Sequence, residues 1–423
     1  MMNILLFAVI MAIVCLLGFF NEKITKLNYE ISLMLFSVVI GGLLLIAAAV
    51  FNESDFGEVL EKAQYVNIEG FLMEGVLCFM LFASSCHMKL SDFRKYARQV
   101  TVLSLACTLL GACFYGLLFF GAAKLLRLDL PLPVCLMFGS IVAPTDPIAA
   151  TGILSKFGLP KGISFLIEGE SLFNDGVGVA LFVCFSGMVT ASSSGGFFAV
   201  MLKELFGAIL VGAAVTALTF LLFRFTKSKS LGVFVSLLTV SLSYAICESF
   251  GFSGAIASVV CGLMFSALRS RFSNEEQEAA QTFDSFWETL DSLCNSILYV
   301  MLGLTFVRIL QMEHVLLLSV IAIAANLIAR SGSLTLSSLF MGKIPNGYDR
   351  FSFIKLLTWG GLRGGLSVAL AMSSKEMLPE QVYHIILGGT YAIVFFTTVI
   401  QGLTMKPVYR RISRSVSSKS LTE

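Results

Sequence analysis

A short run of polar residues inside an apolar stretch carries the strongest chemical signal in this sequence. The run reads EGESLFNDGVGVALF (168–182). As a helix it puts Asp175 and Ser171 on one face and Asn174 and Glu170 on the next, because residues four apart are neighbours on a helix surface. A carboxylate with hydroxyl and amide oxygens beside it suits a small, hard monovalent cation. The alternative is a hydrogen-bonding cluster that only holds helices together.

A second polar run contains two prolines. The stretch GSIVAPTDPIAATG (139–152) sets Pro144 and Pro147 on either side of Thr145 and Asp146. Each proline removes a backbone donor and clashes with the preceding turn, which predicts a break in the helix. Broken backbone deep in a membrane is tolerated only where it is buried in protein or lines a polar cavity. A kinked packing helix with a hydrogen-bonded Asp146 is the alternative.

Two arginines also lie inside apolar runs. Arg330 stands in AANLIARSGSL (324–334), and a buried arginine stays charged and needs an acid partner. We expect that partner to be Glu170, which leaves Asp175 free. Arg363 is surrounded by four glycines in TWGGLRGGLSVALAMS (358–373). This stretch predicts a second broken helix, and a glycine face for tight helix packing is the alternative.

The composition indicates which elements must position these residues. Of 423 residues, 57% are hydrophobic and only 13% are charged, about half the charged share of a soluble domain. Such a chain cannot cover a soluble fold with polar groups, which excludes soluble enzymes, nucleic-acid binders and disordered proteins. The 10 cysteines and 3 histidines stand at no metal-ligand spacing. We therefore expect a polytopic, all-α membrane protein without a cofactor.

Thirteen windows of apolar residues are long enough to cross a bilayer. They lie at about 3–20, 31–51, 68–86, 99–122, 132–155, 163–190, 199–223, 231–249, 252–268, 285–307, 314–340, 352–373 and 382–404. With the N-terminus outside and the C-terminus in the cytoplasm, 21 lysines and arginines fall on the inside and 6 on the outside. That bias supports both the count and the orientation, since basic residues concentrate in cytoplasmic loops.

The two predicted breaks fall in the fifth and twelfth spans, which are seven spans apart. Because seven is odd, the two spans cross the membrane in opposite directions. Paired broken helices in opposite orientation are typical of inverted-repeat transporters, which bind substrate where the helices cross. There Asp146 would neutralise helix N-termini and Arg363 helix C-termini.

Four stretches together resemble the monovalent cation:proton antiporters of the NhaP/NHE type. They are APTDPIAATGIL (143–154), EGESLFNDGVGV (168–179), NLIARSGSL (326–334) and WGGLRGGLSVALA (359–371), and FWETLDSLCNSILYVMLGL (286–304) matches the family's tenth span. The resemblance covers nearly the whole membrane domain. It implies thirteen spans in inverted repeats, one bundle with two crossed discontinuous helices and the ion site, and a second bundle that forms a homodimer interface.

The resemblance also implies residue roles. Asp175 would bind the cation or a proton, with Asn174 where relatives that exchange ions electrogenically carry a second Asp. Ser171 and Thr145 would supply Na⁺ ligands, with Asp146 at the helix crossing. Glu170 with Arg330 would form a structural ion pair, and Arg363 would hold the second crossover.

The function expected from these residues is exchange of Na⁺, and possibly Li⁺, for protons, one for one and electroneutral, at the single Asp175. A K⁺/H⁺ antiporter and a cation channel are the alternatives, although no repeated filter of a channel appears. A membrane enzyme is not expected, because no metal motif or Ser-Lys dyad is visible. Residues 1–405 would form the exchanger domain in a bacterial inner membrane, and 406–423 a short basic cytoplasmic tail in contact with membrane lipid. Glu288, Asp291 and Asn295 could line a cytoplasmic funnel or face lipid headgroups, and we favour the second interpretation.

Overall fold

A computed structural model of the chain describes residues 4–51, 70–88, 90–190, 196–225, 228–272, 277–309 and 315–420. These ranges form helices joined by short turns, and none of their residues is in a strand. The α-helices are α1 (Ile4–Phe20), α2 (Tyr29–Phe51), α3 (Leu77–Cys86), α4 (Leu90–Thr101), α5 (Thr108–Leu125), α6 (Leu132–Ile141), α7 (Pro147–Leu154), α8 (Lys161–Val189), α9 (Phe197–Phe225), α10 (Lys229–Phe250), α11 (Gly254–Phe272), α12 (Gln277–Ile309), α13 (Val315–Ser338), α14 (Arg350–Gly360), α15 (Gly365–Ser373), α16 (Glu380–Phe395) and α17 (Gly402–Ser420). The all-α prediction is confirmed.

Some of these helices continue into one another through π-helical turns. Val102–Cys107 joins α4 to α5, and Phe396–Gln401 joins α16 to α17. The joined helices contain the candidate membrane spans Ser91–Leu125 and Glu380–Arg414, each 35 residues long. Single π-helical turns inside α-helices often occur at functional sites, and the second of these turns lies beside the broken helix that carries Arg363.

The described ranges contain 8 helices that are long and apolar enough to cross a membrane. The predicted broken spans are built differently. Helices α6, α7, α14 and α15 have 10, 8, 11 and 9 residues. At 1.5 Å per residue each reaches about half of the roughly 30 Å hydrocarbon core. The two members of each pair must therefore follow one another to make one crossing.

Each of the thirteen predicted windows overlaps a described helical segment, but several helices extend beyond their windows. Helix α4 begins at Leu90 rather than 99, α12 begins at Gln277 rather than 285, and the last helix continues past residue 404 to Ser420. These extensions are rich in charged residues, which a window chosen for apolar content leaves out. The chain is a multi-pass helical protein, and thirteen as the number of crossings stays a prediction.

The helices group into two bundles by their packing partners. One bundle contains α4 to α8 and α13 to α17, and the other contains α1 to α3 and α9 to α12. The first bundle consists of two three-span units, α4–α8 and α13–α17, and the middle span of each unit is broken. At one edge of this bundle α17 packs on α7: the Tyr409 hydroxyl donates to the carbonyl of Gly158, 3.2 Å away, and Lys406 Nζ lies 4.8 Å from the ring centre of Phe157.

Candidate ion-binding site

The first break separates α6 from α7. Helix α6 ends at Ile141, residues 142–146 are not helical, and α7 begins at Pro147. This is the local structure that the prolines dictate, because Pro144 has no N–H to donate and Pro147 fits the first position of a new helix. The Thr145 and Asp146 backbone is thereby left open for partners from other helices.

The second break separates α14 from α15. It spans residues 361–364 and contains Arg363, whose guanidinium is buried. Consecutive threonines of the π-helical turn 396–401 hold its backbone: the Arg363 N–H donates to the Thr397 hydroxyl at 3.0 Å, and the Thr398 hydroxyl donates to the Arg363 carbonyl at 3.1 Å. These contacts satisfy backbone groups that the break removes from the helix ladder, as burial requires.

The two breaks meet directly. The Asp146 N–H donates to the Leu362 carbonyl at 2.8 Å, which joins one break to the other. A Cβ atom on Gly364 would lie 2.8 Å from Asp146 Oδ2, so a glycine is required for this approach. Because both spans are interrupted here and bonded across the interruption, they form the crossing that the sequence predicts.

Both charged residues of the breaks have definite partners. Arg363 Nη1 donates to the carbonyls of Ala143 and Pro144, the latter 2.8 Å away, and Nη2 donates to Asn326 Oδ1 at 3.1 Å. Its positive charge thus meets carbonyls just beyond the C-terminal end of α6, where the helix dipole is negative. On the other side, the Tyr299 hydroxyl of α12 donates to Asp146 Oδ2.

Helix α8 attaches to the first break through two side chains. Asn174 Oδ1 accepts from the Thr145 N–H at 3.2 Å, and Asn174 Nδ2 donates to the Thr145 hydroxyl at 2.8 Å. The Ser171 hydroxyl donates to the Thr145 carbonyl. Gly178 permits this contact, since a Cβ there would lie 2.3 Å from Pro144 Cγ. Both polar atoms of the Asn174 amide are therefore hydrogen-bonded, and they join α8 to the break.

Asp175 differs from these neighbours. Its side chain is half-buried and lines a cavity, and no group within the described residues hydrogen-bonds its carboxylate or forms an ion pair with it. An unpaired carboxylate deep in a membrane protein is costly unless a counter-charge or proton reaches it. Asp175 is therefore the group of this site with unused binding capacity.

The cavity in front of the crossing has a volume of about 390 Å³. Its walls include the oxygen-bearing residues Thr145, Asp146, Ser171 and Asp175, and it reaches His87, which is exposed at the end of α3. Among the described residues that line it, four are acidic and none is lysine or arginine; the acids are Asp146, Glu168, Asp175 and Asp291. An acidic, water-accessible cleft raises the local concentration of cations.

The buried ion pair lies behind the crossing. Arg330 Nη1 and Glu170 Oε1 are 2.5 Å apart, and both side chains are more than nine-tenths buried. Arg330 also contacts Cys107 Sγ at 3.8 Å and the Leu357 carbonyl at 3.5 Å. Glu170 faces away from the large cavity, so the two acids of α8, five residues apart, have different surroundings.

The interpretation of α12 as facing lipid headgroups is wrong for two of its three residues. Asp291 and Asn295 line the cavity, and Asn295 Nδ2 donates to Asp291 Oδ1 at 3.1 Å. Only Glu288 is exposed. The three positions share one helix face, at i, i+3 and i+7, and Glu288 differs because it lies about one turn nearer the start of α12 than Asp291.

Sequence reasoning missed the partners of the two breaks. Tyr299, Asn326, Thr397 and Thr398 carry no signal of their own, because single hydroxyl and amide groups in spans usually bond to their own helix. Tyr299 is the most informative case. It lies within the tenth-span motif, but only the fold brings it to Asp146, 153 positions away in sequence.

Comparisons with known proteins identify the family and the fold to which the chain is similar. Residues 5–411 match the family described as "Sodium/hydrogen exchanger, transmembrane". The chain is 30% identical to the Na⁺/H⁺ antiporter NhaP of Pseudomonas aeruginosa over 96% of each protein, and 32% identical to the Na⁺/H⁺ antiporter NhaH of Halobacillus aidingensis over 77% of this chain and 79% of that protein. Its fold is similar to that of the sodium proton antiporter MjNhaP1 from Methanocaldococcus jannaschii, with a TM-score of 0.70, 22% identity, and coverage of 97% of this chain and 96% of that one.

Proposed function

The chain belongs to the sodium/hydrogen exchanger family, and we propose that it exchanges Na⁺ for protons one for one, without net charge movement, at the carboxylate of Asp175. Its relatives are antiporters, which are transporters and not enzymes. Residues 1–405 form the exchanger, and 406–423 form a basic cytoplasmic segment.

The observation that carries this proposal is that, in the part of the chain that the structure describes, the Asp175 carboxylate is unpaired among paired neighbours. A proton or a dehydrated Na⁺ can neutralise this carboxylate, but one excludes the other. The neutral site crosses the membrane interior at low free-energy cost, whereas the empty, charged site does not, because a charge in the low-dielectric membrane interior is costly. Exchange is then obligatory, and one carboxylate moves one positive charge in each direction.

The oxygens beside Asp175 supply a coordination shell for the cation. The Ser171 hydroxyl and the Thr145 carbonyl are hydrogen-bonded to each other and line the same cavity. Oxygen donors of this kind suit a hard cation. Asp146 also lines the cavity, where the Tyr299 hydroxyl holds its carboxylate, and its charge favours a cation. Asn174 fixes Thr145 and does not titrate.

The cavity supports alternating access between two sides of a membrane. It leads from Asp175 to His87, beside the predicted inside loop that carries Arg94, Lys95 and Arg98. Under the predicted orientation this is the cytoplasmic side. Movement of the bundle that contains the crossing against the other bundle would open the opposite side, as in other inverted-repeat transporters.

The remaining assignments rest on the resemblance and on the basic-residue bias. We assign the protein to a bacterial inner membrane as a homodimer, with the N-terminus outside. The oligomeric state is checked by light scattering of the detergent-solubilised protein, in which a molecular mass near 46 kDa after subtraction of detergent would reject the dimer.

Transport by reconstituted protein tests the proposal. Proteoliposomes with an internal pH dye receive Na⁺, Li⁺ or K⁺ gradients in turn, with and without a voltage clamp set by valinomycin. We expect proton movement that follows Na⁺, ignores voltage and vanishes in Asp175→Asn. Asp129→Asn, an exposed carboxylate on a loop, is the matched control and retains activity.

Each departure from that result has a defined meaning. Voltage-dependent proton movement would reject the single-carboxylate stoichiometry, and a response to K⁺ alone would identify a K⁺/H⁺ antiporter. Full activity of a folded Asp175→Asn variant would reject Asp175 as the exchange site. Cation flux without proton movement would favour a channel.

A further inference from the structure

A second and much smaller cavity lies behind the helix crossing. Its volume is about 10 Å³, and it shares no lining residue with the large cavity. It is enclosed by α5, α6, α13 and the break at 361–364. The residues that line it are Cys107, Thr108, Gly111, Tyr115, Gly139, Val142, Ala143, Asn326, Ala329, Arg330, Ser333 and Arg363.

The wall of this cavity gathers polar groups that lack partners. Within the described residues, the buried atoms without a hydrogen bond include Arg330 Nε, Arg363 Nε, Thr108 Oγ1 and the Tyr115 hydroxyl. All four of these residues line the small cavity, and each is at least nine-tenths buried. Unpaired buried donors are rare because each one loses its hydrogen bond to water without replacement. Four of them around one cavity point to a common partner.

The chemistry of the four groups defines that partner. An arginine Nε–H can only donate, whereas a hydroxyl can donate or accept. The partner must therefore accept from two guanidinium groups and interact with two hydroxyls. A water molecule accepts two hydrogen bonds and donates two, and a space of about 10–15 Å³ on this measure holds one water. We propose that one water molecule is bound permanently here, accepting from Arg330 and Arg363 and donating to Thr108 and Tyr115.

This water would connect the two arginine networks of the first bundle. Arg363 holds the carbonyls of Ala143 and Pro144, next to Thr145. Arg330 holds Glu170 on α8, one turn from Asn174. The bound water thus ties the break to α8 behind the position where Asn174 and Thr145 meet. This positioning role rests on the proposed function, but the presence of the water does not.

A variant that fills the small cavity tests the proposal, because a bound water and an empty cavity predict Tm changes in opposite directions. Gly111 lines the cavity, and a Cβ there would lie 3.5 Å from Ser333 Oγ, an ordinary contact. Gly→Ala inside a helix normally stabilises. We expect Gly111→Ala instead to lower the Tm by about 2–4 °C, because its methyl group displaces the water. Gly121→Ala on the same helix, with nothing within 4 Å of the added Cβ, is the control and raises the Tm. A rise in both variants would overturn the proposal.

A second measurement tests whether the two hydroxyls share one partner. Thr108→Val and Tyr115→Phe each lower the Tm, and the double variant lowers it by clearly less than the sum, since the water is lost once. Thr390→Val is the control, because the Thr390 hydroxyl bonds its own helix at Ile386. Its effect adds to that of Thr108→Val. Strict additivity of Thr108→Val and Tyr115→Phe would contradict a shared water.

Direct observation needs no variant and separates this proposal from the proposed function. A density map at about 2 Å resolution of the unmodified protein is expected to contain a peak within hydrogen-bond distance of both Nε atoms. Protein crystallised in bromide tests for an anion, which would accept from all four groups. An anomalous bromide peak, or no peak at all, would overturn the water. If exchange activity fails but the peak is present, only the proposed function is lost.

Discussion

The two faces of the helix crossing differ in charge and in access. The front face opens into a cavity of about 390 Å³ with four acids on its walls, whereas the back face encloses about 10 Å³ beside two arginines. Glu170 and Asp175 stand five residues apart on α8, yet Glu170 is paired with Arg330, whereas Asp175 has no partner among the residues that the structure describes. The difference teaches that surroundings, and not residue type, separate a carboxylate tied into an ion pair from one that lines an accessible cavity.

The largest predicted change, a loss of stability, is expected at the ion pair on the back face of the crossing. Glu170→Gln leaves Arg330 buried without its partner, which typically costs about 3–5 kcal/mol in free energy of unfolding. The double variant Glu170→Gln/Arg330→Met removes both charges and should cost less than the single variant. Thermal unfolding of the detergent-solubilised protein measures both. A double variant less stable than Glu170→Gln would contradict a purely structural pair.

A smaller effect, on the exchange rate, is expected from the hydrogen bond between Tyr299 and Asp146 at the crossing. Tyr299→Phe removes the hydroxyl that donates to Asp146, and a hydrogen bond to a charged group contributes about 1.5–3 kcal/mol. We expect the exchange rate to fall by about 10-fold and the Tm to fall by a few degrees. Tyr383→Phe, on α16 and away from the large cavity, is the control in the same proteoliposome assay. An unchanged rate in Tyr299→Phe would mean that Asp146 needs no fixed position.

A weaker effect is expected along the front cavity. Asp291→Asn removes one charge from its acidic wall, and a charge acting through water contributes on the order of 1 kcal/mol or less. The apparent KM for Na⁺ should rise by about 2-fold to 5-fold at low ionic strength, and the difference should disappear at high ionic strength. Glu288→Gln, exposed on the same helix, is the control. Equal KM values for Asp291→Asn and wild type would reject attraction by the cavity wall.

The smallest effect is expected at an exposed ion pair with the same separation as the buried one. Lys229 Nζ and Glu278 Oε2 are also 2.5 Å apart, but both side chains are solvated. The hydrogen bond and charge of Lys229 lower the pKa of Glu278, so any stabilisation is present above the unfolded pKa and is lost as pH falls through the folded pKa. Because exposed pairs contribute little, Glu278→Gln should leave the Tm unchanged at pH 7 and at pH 4. A clear loss at pH 7 alone would show that exposure is not what separates the two pairs.

The sequence predicted features that depend on local chemistry. Pro144 and Pro147 determine the first break, and the glycines around Arg363 determine the second, so both were readable from residue types alone. The Glu170–Arg330 pairing followed from the cost of a buried charge. The prediction that the fold is all-α and multi-pass is confirmed, because apolar windows report directly on membrane-spanning helices.

Other features depend on which helix faces which. The contact of Tyr299 with Asp146 and the hold of Thr397 on Arg363 join residues far apart in sequence, and a lone hydroxyl in a span gives no sign of them. Asp291 was misread because its position relative to the cavity is set by packing. The roles of Ser171, Thr145 and Asp175 in binding an ion stay predictions.

The packing of α17 on α7 has a mechanical consequence. Tyr409 and Lys406 fasten the end of the chain to Gly158 and Phe157, just past the half-helix that begins at Pro147. A load applied beyond residue 420 would therefore act on the segment that directly follows α7, the half-helix that begins one residue after Asp146. A reporter domain or affinity handle joined there would act on the half-helix of the first break, so a flexible spacer belongs in any fusion intended to leave that half-helix undisturbed.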